Sequence, residues 1–323
     1  MKASGSSSIQ VRKPAWLRKH LPSGPEFERV RGLLKKGRLH TVCEEARCPN
    51  LWECFSMRTA TFLILGDACT RNCRFCAVRH GRPGATDFDE PVRVAEAAYR
   101  LGLHHVVVTS VTRDDLPDGG AGIFAETIRA VRDRIPGATV EVLIPDFQGD
   151  GKALKTVLEA NPHVLNHNLE TVKRLYGTVR PEAGYARSLT LLSRVGEMSP
   201  HIPAKSGLML GLGETHEEVH AALENLQRAG CCMVTLGQYL QPSRKHLPVE
   251  RFVPPEEFDM WKEKGLAMGF RAVASGPFVR SSYRAAELYR TAMSGEEGML
   301  DSRRVHPVGK GSNQRERMES GAQ

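Results

Sequence analysis

The sequence has 323 residues, of which 41% are hydrophobic and 25% charged, as is typical of a globular protein with one large domain. No segment approaches ~18 uninterrupted apolar residues, which excludes a membrane-spanning helix, and the basic, Ser-rich N-terminus lacks the apolar core of a secretory signal. We therefore expect a cytoplasmic protein, with a mitochondrial presequence as the alternative because the first ten residues contain no acidic residue.

The net charge of +8 is concentrated at the N-terminus. Residues 1–40 contain ten Lys or Arg and two acidic residues, so the rest of the chain is neutral. A general nucleic-acid binder would carry basic stripes along its body, so this distribution argues against one. We predict a basic surface extension over residues 1–40, with Pro14, Pro22 and Pro25 breaking any long helix. This extension either steers an acidic protein partner or is inert.

Six of the eight cysteines lie within 34 residues. In a chain without a secretory signal, such crowding favours metal or cluster ligation over disulfides. The first three, Cys43, Cys48 and Cys54, are spaced x4 and x5 and define a segment over residues 41–59, upstream of the first predicted strand.

From residue 60 onward, short apolar runs alternate with helical stretches. The runs, which we predict to be strands, cover residues 60–66, 105–111, 139–145, 164–169, 206–211 and 233–240. Thr215 and Glu218 have the spacing of a capping box at the start of one intervening helix. This alternation predicts an α/β fold with a parallel sheet, either doubly wound or closed into a barrel. Polar residues where several strands end favour a partial (β/α)6 barrel over residues 60–250, open on one side.

Two segments follow this barrel. A seventh apolar run, residues 272–276, leads into the tetrapeptide Arg-Ser-Ser-Tyr at residues 280–283. We predict that residues 251–292 form a C-terminal extension that closes the site. Residues 293–323 contain mostly Ser, Gly, Arg and Glu with few apolar side chains, which predicts a disordered tail.

Three cysteines, Cys69, Cys73 and Cys76, follow the first predicted strand with spacings x3 and x2. Three thiolates on one loop can hold three irons of a [4Fe–4S] cube and leave the fourth iron open for chemistry. Arg71 and Arg74 would offset part of the negative charge of such a cluster. Half of a zinc ribbon is the alternative, but zinc knuckles usually contain two C-x2-C pairs and this loop has one.

The pattern C-x3-C-x-aromatic-C, with Phe75 as the aromatic residue, resembles the signature of radical S-adenosylmethionine (SAM) enzymes. The resemblance implies a full or partial (β/α) barrel in which SAM chelates the open iron through its amino and carboxylate groups. It also implies that an electron from the cluster cleaves SAM to a 5′-deoxyadenosyl radical.

Several polar residues near predicted strand ends are candidates for contacts with SAM. A carboxylate and a guanidinium could pair with the ammonium and carboxylate groups of SAM, respectively. For each residue individually, an ordinary hydrogen-bond network at a strand end is an equally good explanation. The candidates are Ser110, Asp114, Asn168, Glu170 and Arg180, together with Thr109 and Asn166.

The upstream segment C-x4-C-x5-C also leaves one iron of a cube without a protein thiolate. Cys231 and Cys232 could supply a fourth ligand, but they lie at the N-terminal end of the sixth strand, and we interpret them as small buried residues. The segment resembles the auxiliary-cluster motif of lipoyl synthases, and the similarity covers roughly residues 14–290. The family pattern assigns the fourth ligand to a serine, here Ser282, with Ser281 as the second choice. Without the resemblance, this tetrapeptide would be interpreted as an ordinary polar turn.

The resemblance implies the insertion of two sulfur atoms, at C6 and C8 of an octanoyl chain on a lysine of a lipoyl carrier protein or domain. Two [4Fe–4S] clusters and SAM would be the cofactors, with the auxiliary cluster as the sacrificial sulfur donor. Further expected partners are an electron donor such as flavodoxin or ferredoxin and an iron–sulfur cluster carrier that rebuilds the auxiliary cluster. Neither nucleic acid nor a membrane is expected as a partner.

Three other functions fit parts of the sequence. A tRNA methylthiotransferase would need an RNA-binding module after the barrel, and none is recognisable there. Biotin synthase does not have a three-cysteine set upstream of its barrel. A zinc-binding interaction module belongs to a different class of protein, and metal content would distinguish it from an iron–sulfur enzyme.

Overall fold

The computed structural model describes residues 13–18 and 24–294. The strands are β1 His40–Thr41, β2 Thr61–Ile64, β3 Ala68–Cys69, β4 Arg79–His80, β5 His105–Ser110, β6 Thr139–Leu143, β7 Val164–Asn166, β8 Ala204–Leu210, β9 Cys231–Gln238 and β10 Ala272–Gly276. The α-helices are α1 Pro25–Lys36, α2 Val42–Glu45, α3 Leu51–Ser56, α4 Glu90–Leu101, α5 Ala121–Arg134, α6 Gly151–Glu159, α7 Tyr176–Val179, α8 Tyr185–Met198, α9 His216–Arg228, α10 Pro255–Ala267 and α11 Ala285–Ser294. Short 3-10 helices cover Ala15–Leu17, Phe147–Gly149 and Lys173–Leu175.

The main sheet follows the chain order. Strands β2, β5, β6, β7, β8, β9 and β10 pair in parallel, and β1 pairs antiparallel with β2 at one edge. Because β1 and β10 are the two ends of this order, the barrel is open, and the prediction of a partial barrel is confirmed. The run at residues 272–276, which we placed outside the six barrel units, adds a seventh parallel strand.

Alternating apolar side chains attach the helices to the outside of the sheet. Val106 and Val108 of β5 and Val140 of β6 are fully buried in the large core that also contains residues of the covering helices. The capping box at the start of α9 is present, with the Thr215 side chain accepting from the Glu218 N–H. These local patterns explain why the strand–helix alternation is visible in the sequence.

The N-terminal end of the barrel is closed. An apolar cluster there joins Val164 and Met233 of the strands to Leu288 of helix α11. Nearby, the fully buried Lys205 donates to Glu141, with 2.7 Å between Nζ and Oε1. Packed side chains therefore fill this end, whereas barrel enzymes place their active sites at the C-terminal ends of the strands.

Helix α1 differs from the predicted surface extension. Pro25 occupies the first turn of the helix, where its missing N–H has no partner to lose, so this proline begins a helix instead of breaking one. Phe27 and Leu34 are buried, and the ring of Phe27 stacks on Trp52 at 4.2 Å between centroids. Residues 25–36 therefore pack against the upstream cysteine segment, a contact that depends on tertiary structure.

Helix α11 extends to Ser294, and the tail predicted for residues 293–323 lies outside the described residues from 295 onward. Within the described ranges, no helix is both long enough and apolar enough to cross a bilayer.

Candidate active site

The loop after β2 carries the three cysteines with spacings x3 and x2. Cys69 ends β3, and its Sγ accepts from the N–H of Thr112 at 3.3 Å. The Cys76 N–H donates to the Cys73 carbonyl at 3.0 Å, which forms a tight turn between these two thiols. The loop therefore presents its thiols at the C-terminal end of the barrel, as the sequence predicted.

Arg71, which we expected to offset part of the charge of a cluster, is paired with carboxylates of the protein. Its guanidinium forms a two-pronged ion pair with Asp114, with N–O distances of 2.6 and 2.9 Å, and donates to the fully buried Asp146 at 2.6 Å. Arg187 donates to the other oxygen of Asp146 at 2.7 Å. Burial alone would raise the pKa of Asp146, but the hydrogen bonds and charge of Arg71 hold it well below its usual range. Because the charge of Arg71 is balanced by carboxylates, this residue anchors the loop.

The upstream cysteines lie on two short helices. Cys43 is in α2 and Cys54 in α3, with Cys48 in the turn between them. Thr41 caps α2 by accepting from the Glu44 N–H, and the Cys48 N–H donates to the Cys43 carbonyl at 3.0 Å. This compact arrangement turns the thiols of a short segment toward the same space.

A single cavity of about 530 Å³ brings both cysteine sets together. All the predicted site residues except Asp114 and Asn166 line this cavity: Cys43, Cys48, Cys54, Cys69, Cys73, Cys76, Phe75, Thr109, Ser110, Asn168, Glu170, Arg180 and Ser282. Asp114 does not line it, because its carboxylate pairs with Arg71 on the outer side of the loop.

The donor chemistry of the cavity fits iron–sulfur clusters. In the part of the chain that the structure describes, no group of three or more His, Cys, Asp or Glu is placed to hold a single metal ion. A zinc site requires ligands that converge on one ion, whereas a [4Fe–4S] cube takes one thiolate per iron. Burial raises the pKa of Cys43 and of Cys76 to about 12 in the absence of metal. Cysteine binds iron as the thiolate, so iron binding at these thiols releases protons.

Two buried polar atoms in the cavity wall have no partner among the described residues: Ser110 Oγ and Arg180 Nε. Buried polar groups in native proteins are almost always hydrogen-bonded, so these atoms indicate a polar ligand. Gly207 also lines the cavity, and a Cβ there would lie 2.6 Å from Thr235 Oγ1 and 2.9 Å from Asn168 Oδ1. Glycine at this position therefore lets the polar side chains of Thr235 and Asn168 pack closely in the cavity wall.

A polar network connects the fourth parallel strand with the loop after β10. Ser281 donates to Asn168 at 2.8 Å, and the Asn168 amide donates to Glu170 at 2.9 Å. Arg180 donates to the Asn168 carbonyl at 2.8 Å. Burial raises the pKa of Glu170, and the nearby charge of Arg180 partly opposes this effect. The Glu170 carboxyl and the Arg180 guanidinium thus line the same cavity.

The C-terminal loop closes over the upstream cysteine segment. The Tyr283 hydroxyl donates to Glu53 at 2.7 Å, and the Asn50 amide donates to the Phe278 carbonyl at 2.7 Å. Gly237 permits this closure, because a Cβ there would overlap the carbonyl of Val279. Ser282 lies in this loop and lines the same cavity as the upstream cysteines.

Sequence reasoning missed the residues that hold the loops. Asp146 and Arg187 were not singled out, and Arg280, which lines the cavity, was noted only as part of a tetrapeptide. Asp146 follows a predicted strand, which was the one available signal. Cys231 is buried and Cys232 partly buried, at the start of β9 away from the cavity, as we predicted.

Comparison with known proteins identifies the family. The radical SAM superfamily matches residues 63–226, and the N-terminal domain of lipoyl synthase of the radical SAM family matches residues 2–48. The lipoyl synthase of Caldanaerobacter subterraneus subsp. tengcongensis is 58% identical over 277 residues, which cover 86% of this chain and 97% of that protein. The lipoyl synthase of Thermus thermophilus is 55% identical over 286 residues and 88% of each chain.

Solved structures agree on the fold. HydG, a maturase of the [FeFe]-hydrogenase, superposes with a TM-score of 0.53 at 17% identity, covering 82% of this chain and 70% of its own. Methylornithine synthase superposes with a TM-score of 0.50 at 16% identity, covering 76% and 74%. The barrel, the cysteine-lined cavity and the close relatives lead to one conclusion: the chain belongs to the lipoyl synthase family of radical SAM enzymes.

Proposed function

We propose that one cavity of this enzyme holds two [4Fe–4S] clusters on separate sets of ligands. Cys69, Cys73 and Cys76 would bind the cluster that acts on SAM, whereas Cys43, Cys48, Cys54 and Ser282 would bind the auxiliary cluster. As a member of its family, the chain is a sulfur-inserting radical SAM enzyme that uses SAM and [4Fe–4S] clusters, including the auxiliary one.

The observation that supports this assignment best is that all six cysteines line the same cavity. Acid–base catalysis cannot activate the C–H bonds of an alkyl chain. The bound cofactors therefore supply an adenosyl radical and a sulfide. The chain must hold the acyl carbon between the two clusters and keep water away. A shared cavity meets this requirement, and two separate pockets would not.

For SAM, we propose a contact set of Ser110, Asn168, Glu170 and Arg180, together with Phe75 in the cluster loop itself. Ser110 Oγ and Arg180 Nε support this proposal because they are buried without a partner among the described residues. A guanidinium aimed into a cavity fits a carboxylate, and a buried carboxyl fits an ammonium group. Asp114 is better assigned to anchoring the loop through Arg71.

For the fourth ligand of the auxiliary cluster, Ser282 is preferred to Ser281. The Ser281 hydroxyl already donates to Asn168 at 2.8 Å, whereas Ser282 makes no hydrogen bond within the described residues and lines the cavity. Oxygen is a harder ligand than thiolate and less suited to iron–sulfur clusters. Such a ligand is easily released, which would open one iron when sulfur is removed.

The proposed substrate is an octanoyl-lysine on a lipoyl carrier protein or domain, which receives sulfur at C6 and C8. An electron donor such as flavodoxin or ferredoxin and an iron–sulfur cluster carrier complete the proposed partners. A cytoplasmic location is part of the same proposal.

The assignment is tested by iron analysis of anaerobically reconstituted protein beside a Cys43/Cys48/Cys54→Ala variant. We expect about eight irons per chain in the parent protein and about four in the variant, as for two cubes on separate thiolates. The variant should still cleave SAM but form no lipoyl product from an octanoyl-lysine peptide. A Cys231/Cys232→Ala variant is the matched control, because these cysteines lie outside the cavity, and it should keep both clusters and activity.

A single cluster in the parent protein, or lipoyl product from the triple variant, would contradict the assignment. The Ser281→Ala and Ser282→Ala variants, reconstituted in the same way, distinguish the two candidate serine ligands. We expect the Ser282 change alone to alter the electron paramagnetic resonance spectrum of the reduced auxiliary cluster. The same spectral change in Ser281→Ala, with Ser282→Ala unaffected, would reverse the choice.

A further inference from the structure

Cationic side chains lie at the opening of the cavity and on the loops next to it. Among the described residues that line it, Lys13, Arg47 and Thr59 are exposed, and they therefore mark where the cavity meets solvent. Two of these three are cationic. Arg47 makes no ion pair in the described part of the chain, and its Nη1 donates to the Pro242 carbonyl at 3.5 Å. The opening thus lies next to the loop that follows β9.

This loop contributes two more cations. Arg244 and Lys245 are exposed and make no ion pair with any described residue. The loop after β9 is hydrogen-bonded to the cysteine loop of residues 69–76, because the Leu247 N–H donates to the Arg74 carbonyl at 3.1 Å. The Arg74 side chain is also exposed, with no carboxylate partner in the ranges that the structure covers. We call Lys13, Arg47, Arg74, Arg244 and Lys245 the cationic rim.

The carboxylates closest in sequence to Arg47 do not neutralise the rim. Glu44 lies 3.8 Å from Arg31, and Glu45 lies 3.0 Å from His40. Residues 41–323 contain equal numbers of basic and acidic residues, so four of the five rim cations belong to a part of the chain that is neutral overall. A local excess of one charge attracts an oppositely charged partner to that place.

We propose that the cationic rim is the docking surface for an acidic protein domain that carries the acylated lysine. This inference rests on the proposed function, because it presumes an acyl chain that enters the cavity from a carrier. In the described part of the chain, the exposed lining residues place the mouth of the cavity at this opening, so the surface of the carrier around its lysine lies against the rim. Carboxylates on that surface then face the five cations, and exposed pairs of this kind mainly accelerate association.

The test uses an Arg244→Glu/Lys245→Glu variant of the full-length, reconstituted enzyme with dithionite as reductant. Two substrates are compared: an octanoylated lipoyl carrier domain of net negative charge and a neutral octanoyl-lysine peptide. At low salt, we expect the KM for the domain to rise roughly tenfold with kcat unchanged, and the KM for the peptide to stay the same. Added salt should raise the KM of the parent enzyme for the domain and have little effect on the variant.

A Lys152→Glu/Lys155→Glu variant on helix α6 is the matched control, because it changes the net charge equally at exposed positions away from the cavity. Its KM for the domain should equal that of the parent. An unchanged KM in the rim variant would overturn the proposal, as would an equal rise for domain and peptide. A defect that appears only when a protein electron donor replaces dithionite would also overturn it, because the rim would then bind the electron donor. Failure of the parent enzyme to convert the peptide would instead contradict the proposed function.

Discussion

The two cysteine segments line one cavity, but different parts of the chain hold them in place. Residues 69–76 are anchored to the barrel, since Arg71 joins them to the fully buried Asp146 and to Asp114. Residues 43–54 are instead covered by helix α1 on one side and by the loop after β10 on the other. The closing contacts, Tyr283 to Glu53 and Asn50 to Phe278, join residues about 230 positions apart.

This difference matches the different fates of the two proposed clusters. A cluster that acts on SAM in every cycle benefits from ligands fixed to a rigid barrel, because precise geometry is maintained by buried contacts. A cluster that is consumed has to be rebuilt, which requires access to its ligands. The loop after β10 can open without disturbing the barrel core, because Tyr283 and its partner Glu53 are only partly buried and such contacts open locally at low cost.

The largest expected effect comes from removing the barrel anchor. Arg71→Met leaves Asp146 buried without its main cationic partner, and breaking a buried pair in this way costs about 3–5 kcal/mol. We expect a much lower urea midpoint and loss of iron from the catalytic loop. The matched control is Arg79→Met, whose ion pair with Asp67 is exposed and contributes less than about 1 kcal/mol. Equal midpoints for the two variants would show that the anchor is not important.

A smaller effect is expected on the stability of the barrel at acidic pH. His167 in the barrel wall is fully buried, with its Nδ1–H donating to the Ile144 carbonyl and its Nε2 accepting from Ser188. Burial, with the nearby charge of Arg180, lowers the pKa of His167 to about 4. Between pH 6.5 and about 4, only the unfolded chain binds a proton at this imidazole, so the free energy of unfolding falls as the pH is lowered. Over this window the loss is about 3 kcal/mol, and below it there is no further loss.

Urea midpoints measured anaerobically from pH 7 to pH 4.5 would show this loss. His167→Gln should be less stable at pH 7 but should lose less stability on acidification than the parent, because it lacks the titrating group. If the two midpoints fell in parallel, another group would be responsible for the acid sensitivity of the barrel.

The fold could be predicted from sequence wherever a pattern is local. Strands and helices of the barrel alternate with clear periodicity, and the capping box at Thr215 specifies the start of α9. Helix α1 was missed because Pro25 was interpreted as a break, and its stacking on Trp52 involves a residue of a different element. The two-residue strand β1 is too short for any periodicity.

Within the site, spacing identified the cysteines but not the groups that hold them. Arg71 and Asp146 are 75 residues apart, and Asp146 and Arg187 are 41 apart, so no short motif contains them. Asp114 was assigned to SAM because it follows a strand. That position is shared by residues that contact ligands and by residues that anchor loops, and only the contact with Arg71 distinguishes the two.

The smallest expected effect is a loss of about 2 kcal/mol in the free energy that keeps the loop after β10 closed over the auxiliary cluster. Tyr283→Phe removes the hydrogen bond to Glu53 that closes the loop over residues 43–54. We expect faster loss of about four irons to a chelator, while the catalytic cluster and the urea midpoint of the barrel change little, because the loop opens locally.

The matched control is Tyr185→Phe on helix α8, which removes a 3.1 Å hydrogen bond from Asn225 away from the cavity. This variant should release iron at the rate of the parent enzyme. If Tyr283→Phe released iron from both clusters at the same rate, the two segments would open together. The proposed difference between the anchored residues 69–76 and the covered residues 43–54 would then be wrong. Rebuilding of the auxiliary cluster would require opening of the whole site.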